Sequence, residues 1–189
     1  MTTDRSLVSV IIPTYNHAHL ISKCLISVVS QTYNRLEIIV VDNYSEDPTE
    51  DLVKSLKDPR IKYYRFRNNG SIAASRNFGA RMSSGELLAF LDSDDYWVPG
   101  KIEKQIVFHE QDENVISFHN MKLFDGRAIG RVRGYKLGDE PLIEMLTKGN
   151  PIVTSTVMIS KKLFVKSEGF PEAIDVATAE DFALWLKLA

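Results

Sequence analysis

The sequence predicts an α/β protein with a mostly parallel central sheet flanked by helices. Strand-like and helix-like segments alternate four times before Ser93, with short connections between them. The strand-like segments are apolar throughout rather than at every second residue, which is typical of strands covered on both faces. This combination is the pattern of a doubly wound sheet, in which ligands bind at the carboxyl ends of the strands.

The first half of the chain supplies four predicted strands, and the first of them is rich in β-branched residues. They lie at 7–13 (LVSVIIP), 36–42 (LEIIVVD), 61–66 (IKYYRF) and 87–92 (LLAFLD). Apolar residues at helical spacing, or small residues, fill the segments between them. These segments predict helices at 17–30, 45–58 and 71–84, the last ended by Gly85.

The second half of the chain has a less regular pattern. In chain order it predicts a helix at 98–114, a strand at 115–124, a loop rich in glycine and arginine at 125–134, a helix at 139–150, a strand within 155–164, and a helix from about Thr178. Loops carry many binding contacts, so we expect the glycine- and arginine-rich loop either to make binding contacts or to be disordered.

The composition limits the possible partners and compartments. The net charge of −2 provides no basic field that would attract nucleic acid. The single cysteine allows no internal disulfide and fits a reducing compartment, and no apolar run approaches the length of a membrane span. We therefore expect one cytoplasmic domain over residues 1–189 without a nucleic-acid partner. The four histidines show no metal-binding spacing, and we expect them at the surface or in the core.

Three predicted strand ends carry polar residues suited to nucleotides and metals. The first ends in Pro13-Thr14-Tyr15, the second in Asp42-Asn43 and the fourth in Asp92-Ser93-Asp94-Asp95. Carboxylates packed this closely repel one another unless a cation neutralises them. Mg²⁺ binds through one or two carboxylates together with substrate phosphates. The alternative is a solvated acidic turn in which Asp95 caps the next helix.

Glycine-rich phosphate-binding motifs are absent from the sequence. This absence disfavours both a Rossmann dehydrogenase and a P-loop nucleotidase. If a nucleotide diphosphate binds, a metal must hold it, and Arg76 could add a charge-assisted contact. The alternative for Arg76 is an exposed arginine on a helix.

Glu180 and Asp181 precede the apolar segment FALWLKLA. Acids are common in a first helical turn because the helix dipole favours them there. The functional alternative is a general base, since a carboxylate beside a metal-held electrophile can deprotonate an incoming hydroxyl.

The motifs, in this order, resemble the family-2 glycosyltransferases, which are inverting enzymes with the GT-A fold. The resemblance rests on VSVIIPTYN, SQTYNRLEIIVVDNYSED, AASRNFGARMSSGELLAFLDSDD and AEDFALWLKLA, and it extends from about Val8 to Leu188. It implies a nucleotide-binding half at about 1–95 and an acceptor-side half at about 96–189. Members of this family usually continue further, so we expect the acceptor side to be truncated.

The resemblance also implies roles for individual residues. The implied nucleotide-binding residues are Pro13, Thr14, Tyr15, Asp42, Asn43, Arg76, Asp92 and Ser93. Asp94 is the implied direct ligand of Mg²⁺ or Mn²⁺, with Asp92 nearer the ribose and phosphates. Asp181 matches the catalytic base of the family, and Glu180 is its neighbour.

Two positions depart from the family pattern at the second strand end. Asn43 stands where a second acid is common, and Tyr44 where a glycine is common. Asparagine accepts through its carbonyl oxygen but adds an NH₂ donor, so UDP, dTDP and GDP sugars all stay open as donors. Tyr44 either closes over the base or covers the surface.

The resemblance implies transfer to a glycan or lipid-linked acceptor during surface polysaccharide synthesis. An acceptor of that kind would bring peripheral association with the inner face of the membrane. Two alternatives stay open, namely a degenerate module that only binds nucleotide sugars and a nucleotidyltransferase. The nucleotidyltransferase is disfavoured because such enzymes usually have a loop rich in glycine and basic residues after the first strand, and the segment PTYNHAHL is rich in neither. The sugar, the acceptor and the oligomeric state are not specified by the sequence.

Overall fold

The structure is a computed structural model that describes residues 5–124, 136–173 and 178–189, together with the backbone of 132–133. Its strands are β1 Val8–Thr14, β2 Leu36–Asp42, β3 Ile61–Arg65, β4 Leu87–Phe90, β5 Ile116–Ser117, β6 Met121–Lys122, β7 Val132–Arg133 and β8 Met158–Ser160. Its helices are α1 Ala18–Val29, α2 Thr49–Ser55, α3 Ile72–Met82, α4 Lys101–His109, α5 Pro141–Lys148, α6 Lys161–Lys166 and α7 Glu180–Leu188.

The described strands form a six-stranded sheet in the order β3-β2-β1-β4-β8-β5, beside a small β6–β7 pair. The block β3-β2-β1-β4 is parallel, and β8 runs antiparallel to both β4 and β5. The predicted mostly parallel sheet flanked by helices is therefore confirmed. Because β1 pairs with both β2 and β4, the carboxyl ends of these three strands lie side by side.

The strands are continuously apolar because both faces of the sheet are covered. On β1, Val10 and Ile12 belong to one apolar cluster, which includes residues of α1 and α4. Ile11 belongs to a second cluster on the opposite face, together with Phe90 and Trp185. Side chains alternate between faces along a strand, so a strand buried on both sides is apolar at most positions. The buried polar exceptions Ser9 and Glu37 are hydrogen-bonded to each other.

Helix α3 approaches the sheet closely through small residues. A Cβ atom added at Gly79 would lie 2.5 Å from Cγ2 of Ile11 and 3.3 Å from Cγ2 of Val41. Ala73 and Ala80 are buried on the same helix. This close packing fixes the helix against the sheet, and with it the position of Arg76.

Several predicted boundaries in the second half were wrong. The helix predicted at 98–114 begins only at Lys101 and ends at His109, and the strand predicted at 115–124 is two short strands in different sheets. The strand predicted within 155–164 is the three-residue β8, which follows a 3₁₀ turn at Thr154–Thr156 and precedes α6. There the Ser160 side chain accepts a hydrogen bond from the Leu163 N–H, which caps α6 and ends the strand.

Helix α3 ends at Met82, before the predicted stop at Gly85, because Ser83 adopts an extended backbone. The predicted loop at 125–134 lies outside the described residues, apart from the backbone of Val132–Arg133. Among the helices in the described parts of the chain, none is long and apolar enough to span a membrane.

Candidate functional site

A cavity of about 450 Å³ lies at the carboxyl ends of β1, β2 and β4. Seven of the predicted site residues line it, namely Pro13, Thr14, Tyr15, Asn43, Asp92, Ser93 and Asp94. Five further lining residues were not predicted, namely His17, Asn68, Gly70, Ile72 and Ser75. The topology therefore brings the three polar strand ends together around one cavity.

The unpredicted lining residues come from the starts of α1 and α3. His17 precedes α1, and its Nδ1 lies 2.7 Å from Oγ of Ser93, so this histidine joins two strand ends. The other four surround the turn that leads into α3. The sequence signal for that turn was the NNG at 68–70, where Asn69 and Gly70 take positive φ values of 52° and 85°.

Asp42, a predicted nucleotide contact, is not among the residues that line this cavity. Asp42 is 1% exposed, and its carboxylate accepts hydrogen bonds from other residues of the chain. One oxygen accepts a hydrogen bond from the hydroxyl of Tyr63, and the other accepts from the N–H and hydroxyl of Ser45 at 3.0 and 2.5 Å. Asp42 therefore holds the turn after β2 and positions the neighbouring Asn43.

Asn43 lies in the cavity wall with its side-chain amide in a fixed orientation. Its Oδ1 accepts a hydrogen bond of 3.0 Å from the backbone N–H of Asn68. A backbone N–H can only donate, so the oxygen must face Asn68 and the NH₂ group must face away from it. One lone pair of that oxygen is therefore occupied, and the second lone pair and the NH₂ group stay available to a base.

Tyr44 is exposed and does not line the cavity. Its ring lies against the guanidinium groups of Arg65 and Arg67, with distances of 4.8 and 4.9 Å to the ring centroid. Of the two alternatives for this residue, the structure favours surface cover. Its φ of 59° lies in the left-handed region where a glycine would be unstrained.

Arg76 is buried, so the alternative of an exposed helix arginine is wrong. Its Nη2 donates to Oδ1 of Asp92 at 2.7 Å, and its Nη1 donates to Oε1 of Glu180 at 2.9 Å. Burial lowers the pKa of Arg76, but the two carboxylates outweigh it and the net pKa is raised. One guanidinium thus links the end of β4 to the start of α7.

The carboxylates of the acidic turn at 92–95 lie in different surroundings. The backbone N–H of Asp95 donates to the carbonyl of Asp92 at 3.0 Å and closes the turn. Burial raises the pKa of Asp95, and Asp94 and Asp92 add to the effect. Asp95 does not cap the next helix, because α4 begins at Lys101 after Gly100. Asp94 is exposed at the cavity.

This turn fits a divalent cation only if a bound ligand supplies some of the atoms that coordinate the metal. Within the described residues, no group of three or more His, Cys, Asp or Glu side chains could hold a metal alone. Arg76 occupies Oδ1 of Asp92, which leaves Asp94 as the less engaged carboxylate. One or two carboxylates completed by substrate phosphates is the usual arrangement for Mg²⁺.

Asp181 and Glu180 begin α7 and have different partners. Glu180 is buried and paired with Arg76, and it lines a small neighbouring cavity of about 140 Å³. Asp181 is half-buried, and its carboxylate accepts from Oγ1 of Thr154 at 3.0 Å and from the N–H of Phe182 at 2.6 Å. Burial raises the pKa of Asp181. Asp181 lines neither of these two cavities, and what connects it to Arg76 is its sequence neighbour Glu180.

This six-stranded, mostly parallel sheet flanked by helices, with a cavity and an acidic turn at its carboxyl edge, has the architecture of the GT-A class. Residues 9–165 match the family described as Glycosyl transferase family 2. The chain therefore belongs to glycosyl transferase family 2.

Similar proteins include UDP-Glc:alpha-D-GlcNAc-diphosphoundecaprenol beta-1,3-glucosyltransferase WfaP of Escherichia coli. It is 37% identical over 182 residues, which cover 96% of this chain and 70% of WfaP. An uncharacterized glycosyltransferase of Rickettsia bellii is 33% identical over 96% of this chain, but only 26% of the relative is covered.

Among solved structures, S. aureus TarS in complex with UDP is similar, with 26% identity and a TM-score of 0.75. The match covers 94% of this chain and 53% of the TarS chain. Because this chain spans only part of its relatives, the activity of a whole relative does not follow from membership of the family.

Proposed function

We propose that this chain transfers a sugar from a nucleotide-diphosphate sugar to an acceptor hydroxyl, with inversion at the anomeric carbon. The observation that carries the proposal is the hydrogen-bonded chain from Asp92 through Arg76 to Glu180, which neighbours Asp181. It couples the wall of the nucleotide cavity to the acid pair of α7, which a module that only binds nucleotides would not require.

The donor nucleotide lies in the cavity at the carboxyl edge of the sheet. Its base and ribose contact Pro13, Thr14, Tyr15 and Asn43, and its diphosphate lies over the acidic turn. The cavity volume of about 450 Å³ falls in the range of small-molecule sites. TarS was solved with UDP and WfaP is named for UDP-Glc, so a UDP sugar is the first donor to test, followed by dTDP and GDP sugars.

Mg²⁺ or Mn²⁺ would be held by Asp94 with help from Asp92 and the donor phosphates. When bound, such a cation neutralises the charge that develops on the departing diphosphate. Arg76 cannot replace it fully, because its guanidinium is already divided between Asp92 and Glu180. Ser93 keeps the turn in place through its contact with His17.

Asp181 removes the proton from the acceptor hydroxyl as this oxygen attacks the anomeric carbon. The diphosphate leaves from the opposite face, so one displacement inverts the configuration. Thr154 and the N–H of Phe182 orient the carboxylate, and burial raises its pKa toward that of an effective base. Glu180 is a positioning residue, since its carboxylate is paired with Arg76.

The acceptor is a glycan, and the name of WfaP suggests a lipid-linked diphosphate form of it. Such an acceptor would place the chain beside the membrane during polysaccharide synthesis.

A donor panel tests the function directly. UDP, dTDP and GDP are titrated with and without Mn²⁺ while the melting temperature is followed, and the matching sugar nucleotides are then assayed for release of the diphosphate. We expect one nucleotide to stabilise the chain in a metal-dependent manner. No stabilisation by any nucleotide would contradict a donor site, and nucleotide binding without turnover by a chain extended beyond Ala189 would favour the degenerate module.

A further inference from the structure

A second cavity, of about 520 Å³, lies on the other side of the acidic turn from the nucleotide cavity. Asp94 lines both cavities, so any ligand in the second cavity lies next to the place proposed for the diphosphate. The remaining wall comes from the residues that follow Asp94, from the start of α4, from Ser155–Thr156 and from the segment around β6. None of the roles proposed above uses this space.

Two buried nitrogen atoms of residues that line this cavity have no hydrogen-bond partner among the described residues. They are Nζ of Lys101 and Nε2 of His119. Lys101 is 3% exposed, and its Nζ lies over the ring of Trp97, 3.8 Å from the centroid. Burial lowers the pKa of Lys101 well below its usual range. A buried, unpaired lysine is costly, and an apolar residue of similar size would avoid that cost.

The unpartnered atom of His119 has a defined hydrogen-bonding role. Its Nδ1 lies 2.9 Å from the backbone carbonyl of Asn120. A carbonyl only accepts, so Nδ1 carries the proton and Nε2 of the neutral ring is an acceptor. Burial lowers the pKa of His119 and favours this neutral form. The cavity wall therefore contains a buried nitrogen donor at Lys101, which an adjacent oxyanion would hold in its charged form, and a buried acceptor for a hydroxyl at His119.

The rim of the cavity carries two exposed aromatic rings. Tyr96 and Phe124 meet edge to face, with their ring centroids 6.2 Å apart. The ammonium of Lys23 lies 3.8 Å from the Tyr96 centroid and 4.8 Å from that of Phe124. Aromatic faces combined with polar groups suit the apolar faces and hydroxyl edges of a sugar, and a second lysine adds positive charge at the entrance.

We propose that this second cavity binds a sugar that carries an oxyanion, either a carboxylate or a phosphate, with Lys101 facing the oxyanion and His119 accepting from a sugar hydroxyl. The proposal deepens the proposed function and rests on it in one respect, because it makes this sugar part of the acceptor. It requires that rotation of the flexible lysine side chain brings Nζ from the Trp97 face to the cavity surface.

The test is a calorimetric titration of the chain with three sugars that share one ring. They are methyl β-D-glucuronide, glucose 6-phosphate and uncharged methyl β-D-glucoside, each titrated with and without saturating UDP and Mg²⁺. We expect at least one anionic sugar to bind tenfold or more tightly than the glucoside. Lys101→Met should bring that ratio close to one, without lowering the melting temperature, because methionine fills the same space without a buried ammonium.

Two further variants separate a binding role from a structural one. His119→Phe removes the nitrogen that would accept from a sugar hydroxyl, and it should weaken the binding of all three sugars alike. His109→Phe is the matched control, because His109 is another histidine with a buried, unpartnered ring nitrogen, Nδ1, but it does not line this cavity. It should leave the affinities for all three sugars unchanged.

Equal ratios in the wild type and Lys101→Met, or no saturable binding of either anionic sugar, would overturn the inference. A wild type that binds the anionic sugar but none of UDP, dTDP and GDP with Mg²⁺ would support the cavity and contradict the proposed function. The two failures are therefore distinguishable.

Discussion

Arg76 and Glu180 lie 104 positions apart in the sequence and form a hydrogen-bonded ion pair at 2.9 Å. Both are buried, and the same guanidinium also holds Asp92 at the end of β4. The pair fixes the start of α7 against the nucleotide cavity, although α7 belongs to the other half of the chain. The position of the proposed base thus depends on an arginine from the first half of the chain.

Arg76→Met should destabilise the chain by about 3–5 kcal/mol, because it leaves the carboxylate of Glu180 buried without its cation. Urea unfolding followed by circular dichroism measures this change in the free energy of unfolding. Arg76→Lys keeps the charge but cannot contact both carboxylates in the same geometry, so it should lose less stability than Arg76→Met.

The matched control for Arg76 is an exposed ion pair. Lys162 and Glu113 lie 2.6 Å apart with side chains that are 74% and 59% exposed. Lys162→Met should change the free energy of unfolding by less than about 1 kcal/mol. If Arg76→Met cost no more than this control, the buried network would not hold α7 in place.

The sequence predicted the parallel half of the fold well because burial on both faces leaves a local signature. The runs 38–41 and 87–91 are apolar at every position, and they make up most of β2 and all of β4. The second half leaves no such signature. Strands of two or three residues, such as β5 and β8, are too short for a period to appear, and tertiary pairing decides where they form.

The candidate site was predictable where a strand ended in polar residues and not where a distant contact set the role. Asp92 and Asp94 were found from their position after a strand. The burial of Arg76 could not be predicted from the local sequence, because one of its partners, Glu180, comes from the far end of the chain. His17 was missed for the same reason, since its contact with Ser93 joins two separate strand ends.

Asp94→Asn should remove most of the metal-dependent part of nucleotide binding while leaving metal-free binding unchanged. The exposed carboxylate of Asp94 is the proposed metal ligand, and an amide binds hard cations less well than a carboxylate. The measurement is the change in melting temperature caused by the preferred nucleotide, with and without Mn²⁺.

Asp95→Asn is the control for this metal prediction, since Asp95 is the adjacent acid but does not line the nucleotide cavity. It should retain the metal-dependent stabilisation. If Asp95→Asn lost more of the metal-dependent stabilisation than Asp94→Asn, the metal ligand would be Asp95 and not Asp94.

Asn43→Asp should increase discrimination between uracil and cytosine nucleotides. In the wild type the NH₂ of Asn43 donates to a base, and both uracil and cytosine offer acceptors. In the variant one carboxylate oxygen still accepts from the N–H of Asn68, and the other accepts from N3–H of uracil but faces the lone pair of N3 in cytosine. Competition binding of UDP and CDP should show the preference for UDP rising about 10–100-fold.

An exposed asparagine provides the reference for this base-selectivity measurement. Asn34→Asp, outside the cavity, adds the same negative charge and should leave the UDP to CDP ratio unchanged. A ratio that also stays constant in Asn43→Asp would mean that residue 43 does not contact the base.

Asp181→Asn should lower the rate of transfer by about 10²–10⁴-fold, the range typical of a lost general base. Donor binding should be retained, because the carboxamide oxygen can accept from the N–H of Phe182 while its NH₂ donates to Thr154. In the wild type the rate should fall as the pH decreases through the raised pKa of Asp181, which lies above the value of about 3.9 for an ordinary aspartate. Initial rates across a pH series, with nucleotide affinity measured in parallel, check both parts.

The stability of Asp181→Asn tests the same pKa independently of activity. A carboxyl group whose pKa is raised on folding binds its proton more tightly in the folded chain, so stability falls as the pH rises from the unfolded pKa to the folded one. Because asparagine does not titrate, the variant should be at least as stable as the wild type at neutral pH, and this advantage should vanish below the ordinary aspartate pKa. Urea unfolding at neutral and acidic pH decides the point. A variant that is less stable at neutral pH but not at acidic pH would mean that the charged carboxylate stabilises the fold, which is opposite to the direction expected from its burial.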